Sequence, residues 1–171
     1  MSLLLPDADT TVAAGRRLAD LLGAGDLLVL TGGLGAGKTT LTRGLGEGLG
    51  VRGAVTSPTF VIARVHPSLV GGPELVHVDA YRLGGSAELD DLDLDSELDE
   101  AVTVVEWGAG LAEGLADERL EITLVADPAT EARTLTATGV GARWAGLDVE
   151  SHLQEAVDTT THTSADEGGV P

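Results

Sequence analysis

The pattern of apolar positions predicts a buried strand that leads through a glycine-rich loop into a helix. Leu27-Leu28-Val29-Leu30 is a continuous apolar run, typical of a strand that is buried on both faces of a parallel sheet. After the glycine-rich segment, Leu41, Leu45 and Leu49 lie on one face of a helix that ends at Gly50. Because this helix follows the loop directly, its N-terminus is expected to form an anion-binding position.

The same kind of pattern predicts the other elements. A first helix is expected to begin at Thr10 or Thr11 and to end at Gly23, and a short helix is expected from Gly108 to Leu115. Five further segments are predicted to be strands: residues 60–66, 75–79, 102–106, 120–125 and 133–138. The last two strands alternate polar and apolar residues, so we expect them to pair antiparallel at the edge of the sheet.

Together these elements predict a single α/β domain. Its central sheet is expected to be mostly parallel and flanked by helices, with antiparallel strands at the C-terminal edge. The length of 171 residues suits one domain of ordinary size, which we place at residues 1–157. Residues 158–171 are polar and rich in Thr and Gly, and they are predicted to form a disordered tail.

Composition excludes several classes of protein. The chain has no cysteine, which excludes a disulfide framework and a zinc–thiolate site. No apolar run approaches the length of a membrane span, so we expect no association with a membrane. The opening Leu3-Leu4-Leu5 lacks a basic flank and is interrupted by Pro6, unlike a signal peptide. A cytoplasmic location is the expected one.

The net charge of −18 argues against a large nucleic-acid surface on this chain, because phosphate contacts need clustered Lys and Arg. In a nucleic-acid pathway, the protein would have to act through a partner that supplies the cations. The acidic stretch at residues 87–100 is expected to be a solvated face rather than a metal site. A calcium loop would also need a glycine in the middle of this stretch, and none is present.

The glycine-rich segment is the strongest chemical signal. Residues 32–39 fit the phosphate-binding pattern G-x-x-x-x-G-K-[ST], and its Lys38 is the only lysine of the chain. Lys38 is expected to reach the β- and γ-phosphates of a nucleotide, and the Thr39 hydroxyl is expected to ligate Mg²⁺. A glycine-rich turn without a ligand would explain the pattern less well, because the required strand and helix are both predicted. The fold class is therefore that of a P-loop NTPase.

Two acids follow predicted strands and are candidates to complete the site. Asp79 follows Leu-Val-His-Val, and Glu106 follows Val-Thr-Val-Val. Since ligands lie beyond the carboxyl ends of strands in such sheets, either acid could hold Mg²⁺. Each could instead cap a helix or pair with Arg82. His77 shares a strand face with Asp79, and we interpret it as structural.

The nucleotide and the loop after the second helix are less sharply defined. GTPases recognise guanine with Asn-Lys-x-Asp, and the chain has no asparagine and no second lysine, so elimination favours ATP. The hydroxyls of Ser57-Pro58-Thr59 lie where a switch loop could approach the γ-phosphate. A simple Ser-Pro turn before a strand explains this segment almost as well.

These motifs together resemble the TsaE (YjeE) family of bacterial ATPases in tRNA threonylcarbamoyladenosine biosynthesis. The resemblance covers about residues 5–138. It rests on motifs that occur in the same order in that family: Thr11-x-x-x-Gly15, the phosphate loop, Ser57-Pro58-Thr59-Phe60, His77-x-Asp79-x-Tyr81-Arg82-Leu83 and Glu106-Trp107. The chain departs from the family at Gly33, where Asp is common, and at Gly108, where Pro is common.

The resemblance implies an ATPase that supports turnover of the TsaB–TsaD complex and meets tRNA only through these partners. Weak activity is expected without them. It also implies ATP and Mg²⁺ as cofactors and a set of site residues. Lys38, Asp79 and Glu106 are the expected catalytic residues, and Thr39, Glu106 and Asp79 the expected metal ligands. The expected nucleotide contacts are Gly35, Ala36, Gly37, Lys38, Thr39, Thr40, Thr11, Ser57, Thr59, Trp107 and Arg133.

Two other functions remain open at this point. A P-loop small-molecule kinase would need a lid of clustered arginines to clamp two phosphoryl groups. The downstream arginines at 82, 119, 133 and 143 are scattered, which speaks against a kinase. A nucleotide-gated binding module with negligible turnover is the third possibility, and Gly33 is the only hint of it.

Overall fold

A seven-stranded sheet forms the centre of the protein in the computed structural model, which describes residues 2–58, 62–85, 87–88 and 98–166. The strands follow one another in space in the order β1-β7-β6-β2-β5-β4-β3. In chain order they are β1 (Leu3–Leu5), β2 (Leu27–Thr31), β3 (Ala63–His66), β4 (Glu74–Asp79), β5 (Ala101–Glu106), β6 (Arg119–Ala126) and β7 (Arg133–Val140). Within these residues the structure gives the bounds of three helices: α1 (Ala8–Leu18), α2 (Lys38–Leu49) and α3 (Val149–Asp166).

The centre of the sheet is parallel and both margins are antiparallel. Strand β2 lies between β5 and β6, and β5 lies beside β4, all in parallel register. Strands β6 and β7 pair antiparallel over eight residues, β1 adds to β7, and β3 pairs antiparallel with β4. The predicted α/β fold with a mostly parallel centre and an antiparallel C-terminal edge is confirmed.

The two faces of the sheet pack against different parts of the chain. Leu28 and Leu30 of β2 belong to a core shared with all three helices, which includes Leu41 of α2 and Leu153 of α3. The alternating residues Leu27 and Val29 belong to a second core on the opposite face. Strand β2 is therefore buried on both faces, as its apolar run predicts.

Helix α1 begins one turn earlier than the sequence predicts. Its N-cap is Asp7, whose carboxylate accepts the Thr10 backbone N–H at 2.8 Å while the Thr10 hydroxyl accepts the Asp7 N–H at 3.1 Å. This reciprocal capping box satisfies two backbone donors. The prediction of Thr10 or Thr11 as the cap is wrong, because both hydroxyls instead donate to the Asp7 carbonyl from inside the first turn.

Other differences between prediction and structure have local causes. Residues 108–115 form only a short 3₁₀ turn at Ala112–Gly114, since Gly110 has φ +81° and interrupts a right-handed helix. The sequence patterns missed β1 and α3. The predicted domain limit at residue 157 falls inside α3, and the disorder predicted for residues 158–171 stays a prediction.

Part of the predicted elements lies outside the described residues. Strand β3 is described from Ala63 onward, so the predicted strand residues 60 and 61 cannot be compared. Most of the acidic stretch at 87–100 also lies outside the described residues. Within the described ranges, none of the helices has both the length and the apolar character needed to cross a membrane.

Helices α1 and α2 cross at two glycines that allow their backbones to approach closely. A Cβ at Gly44 of α2 would overlap the carbonyl oxygen of Val12 in α1, and a Cβ at Gly15 of α1 would overlap the carbonyl oxygen of Leu41 in α2. Both glycines are buried. The position of α2, and with it the phosphate loop, therefore depends on these residues having no side chain.

Replacing Gly44 with Ala tests this contact. Helix propensity alone would favour Ala by about 1 kcal/mol. We expect a net loss of about 1–3 kcal/mol in the free energy of unfolding, because the helices must separate. Urea unfolding measures the change. Gly114→Ala is the control, since its Cβ would meet nothing within 4 Å. If both variants are equally stable, the close approach does not limit the packing.

Candidate functional site

The two candidate acids lie side by side at the carboxyl edge of the parallel strands. Asp79 ends β4 and Glu106 ends β5, and they are directly opposite each other in the register of the two strands. On the other side of β5, Leu30 of β2 pairs with Glu106 just before the phosphate loop begins. This edge is where open α/β sheets bind their ligands.

The phosphate loop presents uncapped backbone N–H groups to this edge. Gly37 has φ +101°, in the left-handed region, and serves as the N-cap of α2. In the described part of the chain, no side chain caps the helix at this end. The first N–H groups of α2 at Lys38, Thr39 and Thr40 therefore remain available to an anion, which the helix dipole also attracts.

Lys38 is buried at the start of α2, with 5% of its surface exposed. Its Nζ donates to the carbonyl oxygens of Gly32 at 2.7 Å and Gly33 at 2.9 Å, and lies 3.8 Å from the centroid of the Trp107 ring. Burial lowers the pKa of Lys38, an effect that the carboxylates of Glu106 and Asp79 oppose. The ammonium group is thus held by neutral acceptors that a phosphate can replace.

Glu106 links the phosphate loop to the sheet. The Thr39 hydroxyl donates to its Oε1 at 2.9 Å, with Oε2 at 3.2 Å, and His77 Nε2 lies 2.7 Å from Oε1. Glu106 is 3% exposed and His77 is fully buried. The expected Mg²⁺ ligands Thr39 and Glu106 are therefore in direct contact.

Asp79 and two aromatic side chains form the other wall. Asp79 is buried, and its Oδ1 accepts the Tyr81 backbone N–H at 3.0 Å, as in an Asx turn. The rings of Tyr81 and Trp107 are 4.9 Å apart. Trp107 has φ +62°, which is an unfavourable backbone conformation for a bulky residue and one that clusters at functional sites.

A cleft of about 460 Å³ opens between these elements, a volume suited to a small-molecule ligand. It is lined by five of the predicted site residues: Thr39, Ser57, Asp79, Glu106 and Trp107. Leu34, Tyr81 and Arg82 also lie in the wall of the cleft, which the sequence motifs did not predict. Leu34 is 96% exposed. An apolar residue inside the phosphate motif is the feature of the sequence that could have indicated its place in the cleft wall.

Three other predicted nucleotide contacts have different surroundings. Arg133 opens β7 and lies across the loop, since a Cβ on Gly37 would be 2.8 Å from its Nε. Thr11 is buried in α1, where its hydroxyl donates to the Asp7 carbonyl at 2.8 Å. Thr59 lies outside the described residues. Contact of these three residues with a nucleotide stays a prediction.

The donor set of the site fits Mg²⁺ only together with phosphates. Thr39, Glu106 and Asp79 offer a hydroxyl and carboxylates, the hard oxygen ligands that Mg²⁺ prefers. Within the described ranges, no group of three or more His, Cys, Asp or Glu side chains is arranged to hold a metal ion. Mg²⁺ is usually held by one or two carboxylates plus substrate phosphates, so this set is sufficient when a nucleotide is bound.

Comparison with known proteins agrees with the sequence motifs. Residues 5–135 match the family described as "Threonylcarbamoyl adenosine biosynthesis protein TsaE". The tRNA threonylcarbamoyladenosine biosynthesis protein TsaE of Streptomyces coelicolor is 68% identical over 139 residues, which are 79% of this chain and 94% of the relative. The protein of the same name from Bacillus subtilis is 39% identical over 137 residues, 80% of this chain and 84% of the relative.

A solved structure extends the likeness to the fold. The crystal structure of Bacillus subtilis YdiB superposes with a TM-score of 0.68 and 31% sequence identity. The match covers 94% of this chain and 95% of the YdiB chain. The likeness therefore extends over nearly the whole of both chains.

The lowered pKa of Lys38 predicts how stability depends on pH in the nucleotide-free protein. The folded state releases this proton at a lower pH than the unfolded chain, whose lysine pKa is about 10.4. Between the folded-state and unfolded-state pKa values of Lys38, the free energy of unfolding therefore rises with pH. Below both values Lys38 is charged in both states, and the cost of burying its charge is present in full.

Lys38→Met removes this penalty. We expect the variant to be more stable than the wild type at pH 8, with a difference that shrinks as pH approaches 10.5. Urea unfolding from pH 7 to pH 11 measures both proteins. Since Lys38 is the only lysine, one ¹³C-labelled lysine resonance reports its titration directly. A stability difference independent of pH would contradict the assigned burial penalty.

Proposed function

The chain belongs to the TsaE family of threonylcarbamoyl adenosine biosynthesis proteins, and we propose that it is the ATP-binding and ATP-hydrolysing component of that pathway. In this proposal it supports turnover of a TsaB–TsaD complex, which carries out the transfer to tRNA. The single observation that supports this proposal most strongly is the contact between Thr39 of the phosphate loop and Glu106 at the end of β5. A hydroxyl and an acid in this arrangement are the Mg²⁺ ligands of P-loop NTPases.

The residues of the loop bind the phosphates in this proposal. The N–H groups from Gly35 to Thr40 surround the phosphate oxygens, and Lys38 exchanges its two carbonyl acceptors for the β- and γ-phosphates. Thr39 and Glu106 would hold Mg²⁺, whose positive charge would neutralise the charge that develops on the phosphates. Phosphoryl transfer needs mainly position and charge stabilisation, and these residues supply both.

Asp79 is proposed to orient the attacking water. It is directly opposite Glu106 in the register of β4 and β5, and it lines the same cleft as Thr39. Its Oδ1 is held by the Tyr81 N–H, so the carboxylate has a fixed direction. Two acids in one cleft can thus divide the work, one at the metal and one at the water.

ATP is the proposed nucleotide, because the chain has no asparagine for a guanine-recognition motif. Ser57 lines the cleft and supports the switch-loop assignment. A Cβ on Gly33 would meet nothing within 4 Å, so the site has room where family members commonly carry Asp. This open position is expected to affect the rate of hydrolysis more than the binding of ATP.

The partners follow from the family and from charge. With a net charge of −18, the chain has little capacity to hold tRNA by its phosphates. We propose that TsaB and TsaD hold the tRNA, that this chain contacts tRNA only through them, and that the assembly acts in the cytoplasm. ATP hydrolysis in the nucleotide site would then be coupled to the TsaB–TsaD complex through the surface that contacts these partners.

ATP turnover with and without the partners tests this function. We expect slow hydrolysis by the isolated chain, faster hydrolysis with the TsaB–TsaD pair, and a loss of about 100-fold or more in Lys38→Ala. Arg43→Ala is a control on the exposed side of the same helix. Phosphate release and co-purification are the two readouts.

The other outcomes distinguish the alternatives. No association with TsaB–TsaD in any nucleotide state would reject the proposed role in the pathway. Phosphate transfer to a metabolite in the absence of partners would indicate a kinase. Tight ATP binding without turnover, even with both partners present, would indicate a nucleotide-gated binding module.

A second test separates the roles of the two acids. We expect Glu106→Ala to weaken Mg²⁺-dependent ATP binding at least about tenfold, with much less effect on ATP binding in EDTA. Asp79→Ala is measured in parallel and should mainly reduce the rate of hydrolysis. Isothermal titration with and without Mg²⁺ measures the affinities. Equal losses for Glu106→Ala in both conditions would move the metal role to Asp79.

A further inference from the structure

We propose that His77 is a positioning residue that fixes the Glu106 carboxylate for metal binding, a role that rests on the proposed Mg²⁺–ATP function. The basis is the 2.7 Å contact between His77 Nε2 and Glu106 Oε1. From the sequence, a single histidine within a strand is expected to be structural. The contact gives it a specific partner in the site.

The strand register places His77 deeper in the sheet than Asp79 and Glu106. Asp79 and Glu106 are opposite each other at the strand ends, whereas His77 is opposite Val104, two residues deeper. His77 and Asp79 share a face of β4, and Glu106 shares that face on β5. His77 therefore reaches the carboxylate from inside the protein.

Burial excludes a direct role in the reaction. His77 has 0% of its surface exposed, so its ring is not accessible to a ligand in the cleft. It does not line the cleft that Thr39 and Glu106 share. Any effect of His77 on a bound nucleotide must pass through Glu106.

The chemistry of the contact defines its direction. An ionised carboxylate only accepts hydrogen bonds, so Nε2 carries the proton and donates it to Oε1. His77 Nδ1 is buried, and no hydrogen-bond partner for it exists among the described residues. A proton on Nδ1 would be a buried donor without an acceptor, so the geometry favours the tautomer with its proton on Nε2.

This bond holds Glu106 independently of the phosphate loop. Oε1 accepts from both His77 and Thr39, whereas Oε2 has only the longer contact with Thr39 at 3.2 Å. When the Thr39 hydroxyl engages another ligand, His77 still fixes the orientation of the carboxylate. Hydrogen bonds of this kind to a metal ligand typically change metal affinity by about 10–100-fold.

Two substitutions at position 77 separate positioning from packing. His77→Leu keeps the volume approximately but removes the donor, and His77→Gln keeps an N–H donor near the position of Nε2. We expect His77→Leu to lose about 10–100-fold in Mg²⁺-dependent ATP affinity while its affinity in EDTA stays within about twofold. His77→Gln should recover most of the loss. His66→Leu is the matched control, because His66 is also buried but pairs with Leu75, two residues further from the strand end than His77.

Coupling to Glu106 gives a stricter comparison. In a Glu106→Ala background, His77→Leu should cause no further loss of Mg²⁺ dependence, since the carboxylate it positions is gone. Additive losses would overturn the proposal, as would equal losses with Mg²⁺ and with EDTA. So would His77→Gln behaving like His77→Leu while both variants unfold at the same temperature. A wild type that binds no ATP in either condition would overturn the proposed function and this inference together.

Nitrogen NMR of the wild type tests the bond without nucleotide and without a substitution at position 77. At neutral pH we expect the His77 ring to carry its proton on Nε2 and not on Nδ1. Glu106→Ala should shift the Nε2 resonance of His77 much more than the resonances of His66. A His77 ring protonated on Nδ1 alone would overturn the proposal even if His77→Leu failed to fold.

Discussion

The contact between the Thr39 hydroxyl and the Glu106 carboxylate connects the phosphate loop to the centre of the sheet. Glu106 ends β5, which has β2 on one side and β4 on the other. Backbone bonds extend this arrangement past the strand ends: Trp107 N–H donates to Leu30 and Ala80 N–H donates to the Glu106 carbonyl, both at 2.9 Å. The backbone of three strands therefore fixes the position of Glu106, and the loop is oriented against its carboxylate.

The site around this contact buries charged groups where aliphatic side chains would be more favourable for stability. Lys38, Asp79 and Glu106 are each less than 7% exposed, and burying charge is unfavourable unless it is paired and hydrogen-bonded. Here the carboxylates oppose the loss of charge on Lys38, and two carbonyls accept its protons. Burying these three charged side chains together is thus less unfavourable than burying each alone. Hydrophobic side chains in their place would still be buried more favourably. Such a cost is expected at a site selected for binding rather than for stability.

Local chemistry determined what the sequence could predict. The glycine pattern with Lys38 and the buried run before it gave the phosphate loop, because each of its features is short-range. The cap of α1 was missed because Asp7 and Thr10 compete for the same role and only the backbone decides between them. Strand β1 was missed because three leucines become a strand only beside β7. For the site, the family resemblance predicted Thr39, Glu106 and Asp79 as metal ligands, whereas the link to His77 needs the register of β4 and β5.

Trp107 shows how the fold limits the freedom of Lys38. Its backbone is held in the left-handed region, with its N–H bonded to Leu30, so the ring is directed over the Lys38 ammonium group and against Tyr81. In the proposed function, a nucleotide must compete with this ring and with two carbonyls for the only lysine. Phosphate oxygens are charged and these acceptors are neutral, so the exchange favours the nucleotide. The loop is therefore held near its binding conformation without being locked in it, since every partner that Lys38 gives up is weaker than the one it gains.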